Sequence, residues 1–157
     1  MKPEKSDHPS SQPELIDHIG LDLWRATQGW KSRYVARMVD LGFPYFAEAR
    51  GGLIAHIDRA GTAQADLVVK AGMTKQAVQQ LLDELERDGV VRRVADPADA
   101  RRKIVEFTDA GDAALEAANG IKRQLEEEYR GLLGGPGLET LKAALTKIAD
   151  HEAARND

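Results

Sequence analysis

The sequence has no cysteine among its 157 residues. A disulfide framework, a thiol-based redox switch and a thiolate metal site are therefore excluded. Histidines are few and scattered, with no two spaced i, i+4, and they stand at His8, His18, His56 and His151. We therefore expect neither a metal site nor a cofactor in this chain.

Long apolar runs are also missing. No stretch approaches the roughly 20 apolar residues that span a bilayer. The polar first residues lack the apolar segment of a signal peptide. We therefore predict a cytoplasmic protein, with residues 1–12 as a disordered tail and residues 13–157 as one domain.

The sequence offers little for catalysis. No glycine-rich phosphate loop precedes a helix at the required spacing, and the glycines of residues 134–137 break a helix instead. Without cysteine, nucleophilic schemes are left to serine, which occurs at Ser6, Ser10, Ser11 and Ser32. We therefore predict that the chain is not an enzyme.

The net charge of −4 hides an uneven distribution. Residues 50–103 carry ten Lys/Arg and eight Asp/Glu, whereas the rest of the chain carries twelve and eighteen. The run 87–103 alone has six basic and three acidic side chains. A locally basic middle in an acidic chain is compatible with a nucleic-acid contact, and also with ordinary solvated surface charge.

The spacing of apolar residues predicts four helices in the first half of the chain, over residues 13–40, 44–59, 63–71 and 75–88. Gly61 and Gly72 are placed to end the second and third of them. Thr62 and Thr74 are placed to cap the third and fourth.

A β-branched run at residues 90–94 and another at 103–107 predict a two-stranded hairpin around the turn 95–102. Thr108 then caps a long helix that runs toward Leu133, and a last helix follows the glycines. The order helix, turn, helix, strand, basic loop, strand predicts a winged helix-turn-helix at about 44–108. The fold class is mainly α with a small β-hairpin wing, and dimerisation helices lie at about 13–40 and 109–154.

The helix at 75–88 has the clearest pattern, with apolar side chains at i, i+3, i+4 and i+7, namely Val78, Leu81, Leu82 and Leu85. The second helix of such a pair enters the major groove of DNA with its N-terminal residues at the base edges. The predicted contacts of this recognition helix are Thr74, Lys75, Gln76, Gln79 and Gln80. The alternative is the solvated face of a core helix.

The hairpin predicts a second contact. An arginine at such a tip can enter a narrow minor groove, and arginines on the strand before it can bind flanking phosphates. The basic wing residues are Arg92, Arg93, Arg101, Arg102 and Lys103. The alternative is a solvated basic loop.

The stretch from residue 62 to residue 111 resembles the multiple-antibiotic-resistance regulator (MarR) family. The resemblance rests on the helix-turn-helix, on the Asp-x-Arg of the wing at Asp99 and Arg101, and on the Thr-x-x-Gly exit from Thr108 to Gly111. It implies a homodimer that represses transcription at a pseudo-palindromic double-stranded operator and is released by a small aromatic or phenolic ligand. It also implies that Arg101 is the minor-groove arginine and that Asp99 braces the wing by pairing with an arginine. Position 80 is often basic in relatives and is glutamine here.

Two rows of apolar residues on the terminal helices, here called seams, predict a dimer independently of the resemblance, because a monomer would leave them exposed to solvent. A dimer would place two recognition helices about 34 Å apart, on successive major grooves. The seam residues are Leu15, Ile19, Leu23, Leu138, Leu141, Leu145 and Ile148.

An effector pocket is predicted from aromatic and polar residues of the helices that would line it. These are His18, Trp24, Trp30, Tyr34 and His56. The alternative is that the aromatic residues belong to the core or the dimer interface.

A winged-helix module that binds protein and not DNA is the alternative function, and a weak salt dependence of DNA binding would favour it.

Overall fold

The computed structural model describes residues 16–155. A 3-10 turn at Pro44–Ala47 lies between the first two helices. The elements are α1 (Ile19–Asp40), α2 (Ala49–Ile54), β1 (Thr62–Ala63), α3 (Gln64–Ala71), α4 (Lys75–Arg87), β2 (Val91–Ala95), β3 (Lys103–Phe107), α5 (Asp109–Leu133) and α6 (Gly135–Ala153). The predicted fold class, mainly α with a small antiparallel wing, is confirmed.

Two helix starts are fixed by threonine caps, as predicted. The Thr74 hydroxyl accepts a hydrogen bond from the Ala77 amide at 3.1 Å. The Thr108 hydroxyl accepts one from the Gly111 amide at 3.2 Å. Each satisfies a backbone donor that the first turn of a helix leaves free. The predicted left-handed stop of α3 is also confirmed, since Gly72 has φ +60°.

The prediction of one helix over residues 44–59 is wrong. The backbone is extended at Glu48, which separates the 3-10 turn from the short α2, and α2 ends at Ile54. A Cβ on Gly51 would lie 2.7 Å from the Cα of Phe46. Gly51 therefore permits a close approach between α2 and the 3-10 turn. Because α2 ends at Ile54, Gly61 does not end it, contrary to the prediction.

The role predicted for Thr62 is also wrong. Thr62 is buried in β1, opposite Val105 of β3, and its hydroxyl accepts a hydrogen bond from the Asp58 amide at 2.8 Å. Helix α3 starts two residues later, at Gln64, with no side-chain cap. The wing is therefore part of a three-stranded antiparallel sheet with the order β1-β3-β2.

The first helix begins later than predicted, at Ile19 instead of Pro13. The backbone of residues 16–18 is not helical. The predicted tail, residues 1–12, lies outside the described residues, as does the start of the predicted helix.

The core has two centres. One lies inside the winged helix, where Leu53, Leu67, Leu82, Leu85 and Val105 are fully buried. The other lies between α1 and α5 and contains Met38, Ala118, Ile121 and Leu125, with Trp30 and Tyr34 packed against it. The long helix α5 reaches the first core at its start and the second along its length.

Ion pairs tie the long helices to one another. The Glu128 carboxylate of α5 binds two arginines of α1, Arg33 and, at 2.7 Å, Arg37. Glu126 of α5 binds Lys142 of α6 at 2.7 Å. Within residues 16–155, no helix has the length and apolar character to cross a membrane.

Candidate nucleic-acid interface

Packing decides which face of α4 points outward. Val78, Leu82 and Leu85 are fully buried, and a helix that buries residues i, i+4 and i+7 must expose the opposite stripe. That stripe is polar, and its exposed members are Lys75, Gln76, Gln79, Gln80 and Asp83. Thr74 is exposed at the cap position just before them. The sequence-predicted residues of this helix therefore share one solvent-facing surface.

A chain of hydrogen bonds runs across this surface. The Gln64 Nε2 of α3 donates to Gln79 Oε1 at 2.6 Å. Gln79 Nε2 donates to Asp83 Oδ1 at 2.9 Å. Gln64 was not among the site residues predicted from the sequence, where it is the second residue of the predicted helix 63–71. Only the packing of α3 against α4 brings it to this surface.

The wing loop is shaped by its two aspartates. The Asp96 side chain accepts a hydrogen bond from the Ala98 amide at 2.8 Å, and the Asp99 side chain accepts one from the Arg101 amide at 3.0 Å. The Arg101 Nε lies 3.5 Å from the Asp99 carboxylate, and the Arg101 side chain is 94% exposed. The loop thus presents Arg101 to solvent at its tip.

The two arginines of β2 have different environments. Arg92 is exposed and pairs across the strands with Glu106 at 3.1 Å. Arg93 is turned inward, is 17% exposed, and binds Asp83 at 2.6 Å and Glu86 at 2.5 Å. The bond to Glu86 raises the pKa of Arg93, and the bond from Arg93 lowers the pKa of Glu86. Arg93 therefore fastens β2 to α4, and its charge is not available to a flanking phosphate.

The start of α4 and the wing face each other across an open cleft of about 430 Å³. Lys75 of α4 lines it from one side and the wing cations Arg101, Arg102 and Lys103 from the other, and Val68 is among its apolar lining residues. No acidic side chain lines it, and within residues 16–155 neither Lys75 nor Lys103 forms an ion pair. The cleft is therefore a concave, positively charged surface next to the glutamines of α4.

The five residues predicted for an effector pocket do not meet within one chain. Trp30 stacks on Tyr34 with ring centroids 5.1 Å apart, and burial raises the pKa of Tyr34. Trp24, by contrast, is 61% exposed. His18 precedes α1 and lies about 24 Å from Tyr34 at the helical rise of about 1.5 Å per residue. His56 follows α2 and is partly buried.

A second cavity, of about 470 Å³, lies elsewhere, between the end of α1 and the middle of α5. None of the five predicted residues lines it. Its walls are Arg37, Asp40, Leu41, Ala117, Gly120, Ile121 and Gln124.

The predicted dimer seams are only partly free in the single chain. Ile19 on α1 is 64% exposed, and the α6 side chains that remain exposed are Leu141, Leu145 and Ile148. Leu138 is 4% exposed and is buried by its own chain, so its assignment to the seam is wrong. Leu23 is partly buried, and Leu15 lies outside the described residues.

A helix pair followed by a hairpin wing, with a polar second helix and a cationic cleft beside it, defines the winged helix-turn-helix class. A model of the MarR family matches residues 49–102. The transcriptional regulator HosA of Escherichia coli O111:H- is 34% identical over 117 residues, which is 74% of this chain and 84% of HosA. The chain therefore belongs to the MarR family of transcriptional regulators, and with it to a class of regulators and not of enzymes.

Other relatives are more distant. The transcriptional repressor NicR of Pseudomonas putida is 28% identical over 100 residues, covering 64% of this chain and 63% of NicR. Among solved structures, the MepR–DNA complex of S. aureus is similar with a TM-score of 0.67 and 22% identity. The repressor CouR bound to a 23-mer DNA duplex is similar with a TM-score of 0.68 and 23% identity. Each match covers 87% of this chain and 99% of the other, and at such identities it establishes the fold.

Proposed function

We propose that this MarR-family regulator binds double-stranded DNA in a sequence-specific manner. Helix α4 lies in the major groove, and the wing reaches the adjacent minor groove. The observation that carries the proposal is the cleft between Lys75 and Arg101, which has cations on both walls and no carboxylate. Such a surface fits the phosphate backbone, while the exposed glutamines beside it fit base edges.

The roles follow from position. Thr74 and the first free amides of α4 hold a phosphate oxygen, as helix N-termini do. Gln76, Gln79 and Gln80 contact base edges. Arg101, at the exposed tip, enters the minor groove, where narrow A·T tracts concentrate negative potential.

Phosphate contacts are assigned to the other cations of the wing. These are Arg102, Lys103 and the exposed Arg92. Arg93 is left out because two carboxylates hold it. The solved complexes of MepR and CouR with DNA support this binding mode.

The test is a binding titration with labelled duplexes selected from a random pool. Arg101→Ala and Gln76→Ala should each weaken binding to the selected duplex by roughly fivefold to a hundredfold. Arg123→Ala is the matched control, because it removes an exposed arginine from α5, and it should leave affinity unchanged. Affinity should fall steeply with salt because counterions are released.

If Arg101→Ala and Gln76→Ala bound the selected duplex as tightly as wild type and the Arg123→Ala control, the proposed interface would be refuted. Salt-independent association with DNA would favour the alternative, a module that binds protein.

We propose further that the chain acts as a homodimer on a pseudo-palindromic operator. The support is the apolar surface that the single chain leaves exposed around the start of α1 and on α6. Ile16, just before α1, and Ile19 and Trp24 on α1 are each more than 60% exposed, and Leu141, Leu145 and Ile148 of α6 are exposed as well. Patches of this kind on isolated chains mark interfaces.

Light scattering at micromolar concentration should give twice the chain mass of 17.2 kDa. Leu145→Glu, in the α6 seam, should shift the mass toward the monomer. Val69→Glu, at an 81% exposed position on α3, should not. A monomeric wild-type protein would remove the dimer.

Repression and release by a small aromatic ligand are the remaining parts of the proposal. The named repressor NicR supports repression, and a reporter fused to the selected operator tests it. Loss of the regulator should raise reporter expression. A cytoplasmic site of action is part of the same proposal, because the relatives HosA and NicR are bacterial proteins and bacterial DNA lies in the cytoplasm.

For the ligand, the support is the stacked Trp30–Tyr34 pair. Salicylate-like compounds should quench tryptophan fluorescence in wild type and in Trp24→Phe, and not in Trp30→Phe. If Trp30→Phe were still quenched, the ligand site would not lie at the Trp30–Tyr34 pair. If no compound of the panel quenched the wild type, the proposal of an aromatic effector would be refuted.

A further inference from the structure

The side chain of Gln79 is held from both ends by groups that the proposed interface does not use. Its oxygen accepts from Gln64 at 2.6 Å, and its nitrogen donates to Asp83 at 2.9 Å. The other exposed glutamine with a hydrogen-bond partner, Gln80, has one bond of 3.3 Å to Glu84. Gln79 is therefore the most constrained amide on the recognition surface.

The partners decide which way the amide points. An ionised carboxylate can only accept hydrogen bonds, so the –NH₂ end of Gln79 must face Asp83 and its oxygen must face Gln64. The carboxylate is itself fixed by Arg93, which donates to the same Asp83 oxygen at 2.6 Å. Arg93 is in turn anchored by Glu86. The orientation of an exposed amide is thus dictated by a charge network that begins in the sheet.

A held amide has a defined remaining capacity. The Gln79 oxygen keeps one lone pair, and its nitrogen keeps one N–H. One acceptor beside one donor matches the N6–H and N7 edge of adenine in the major groove. A freely turning amide would present either order of the two groups to the base.

We propose that Asp83 and Gln64 are positioning residues that set base selectivity at the position contacted by Gln79, in favour of adenine. Arg93 secures Asp83 for this purpose. The inference rests on the proposed DNA-binding function and adds to it a source of specificity outside the contact residues. None of the three residues needs to touch DNA.

The experiment compares base preferences for the full chain in its solution state. Duplexes that vary one base pair at a time in the selected half-site are titrated against wild type, Gln79→Ala, Asp83→Asn and Gln64→Ala. Gln79→Ala identifies the base pair that this residue contacts. At that pair, wild type should prefer adenine by roughly fivefold to a hundredfold.

Asp83→Asn should reduce that preference several-fold, because an asparagine can donate or accept and allows Gln79 to turn. Preferences at the other positions and the salt slope should stay the same. Gln64→Ala should give a smaller loss at the same pair.

Asp66→Asn is the matched control. It also removes one exposed carboxylate from the helix-turn-helix, and within the described residues its side chain has no hydrogen-bond or ion-pair partner. Any general gain in affinity from removing negative charge should appear in both asparagine variants. A changed base profile should appear only in Asp83→Asn.

The outcomes separate the two claims. If wild type selects no duplex sequence, the proposed function fails. If Gln79→Ala alters one base pair and Asp83→Asn leaves the profile unchanged, the positioning role is overturned while the function stands. A uniform loss of affinity for every duplex in Asp83→Asn would assign Asp83 a structural role and overturn the inference.

Discussion

Gly111 lies at a close contact between the long helix α5 and the winged helix. A Cβ at this position would lie 2.9 Å from Phe107 Cδ1 and well inside contact distance of the Val90 carbonyl oxygen. The obstacle is backbone, which cannot rotate away. The same carbonyl accepts a hydrogen bond from the Thr108 amide at 3.1 Å, so moving it disturbs the start of α5 as well.

The expected effect of Gly111→Ala combines two opposing contributions. Overpacking of a rigid site costs about 1–3 kcal/mol, and here the upper end applies. An alanine in a helix gains at most about 1 kcal/mol over glycine. The free energy of unfolding should therefore fall by about 2 kcal/mol, which for a chain of this length lowers Tm by about 4–8 °C.

Gly120→Ala is the matched control, because it makes the same change on the same helix with no atom within 4 Å of the new Cβ. It should raise the free energy of unfolding by about 0.5–1 kcal/mol. Thermal unfolding followed by circular dichroism at fixed protein concentration measures both variants. A Gly111→Ala protein that melts at or above wild type would refute the packing argument.

Three further outcomes are expected. Thr74→Ala should cost about 1 kcal/mol in urea unfolding through loss of the α4 cap, and Thr74→Ser should restore most of it. Gly61→Ala should cost about 2 kcal/mol or more, because φ is +89° and a Cβ would lie 2.7 Å from Ile104 Cγ2; an unchanged urea midpoint would contradict this. Hydrogen bonds from Arg37 and Arg33 lower the pKa of Glu128, so its contribution to stability is present above about pH 4.3 and is lost as pH falls through the lower folded value. The melting temperature should therefore decrease less between pH 6 and pH 3 for Glu128→Gln than for wild type.

Sequence patterns predicted the elements whose signals are local. Helix α4 carries its apolar stripe and its cap within the same dozen residues, and the threonine before α5 does the same for that helix. Strand β1 was missed because two residues, Thr62 and Ala63, carry no periodicity of their own. They form a strand because they pair with Val105 and Ile104 at the edge of β3.

The candidate site divides in the same way. The exposed glutamines and Arg101 follow from helix periodicity and from the wing order, which the sequence contains. The inward turn of Arg93 does not, because it depends on β2 lying beside Asp83 and Glu86 of α4. The burial of Leu138 likewise depends on how α6 folds back on α5.

The net charge of the chain is a poor guide to the charge of the cleft, because two arginines outside the cleft pair with the acidic residues in the second half of α4. Arg93 binds Asp83 and Glu86, while a second, largely buried arginine, Arg50, binds Asp88 and lies 3.6 Å from Glu84. At the start of the helix and on the wing, Lys75 and Lys103 have no ion-pair partner among residues 16–155, and Arg101 and Arg102 lie 3.5 and 3.8 Å from the carboxylates of Asp99 and Asp96. Positive charge is therefore compensated less at the end of α4 that the proposed function directs toward DNA than at its acidic end. Pairing within the fold explains how a chain with a formal charge of −4 presents a positive cleft.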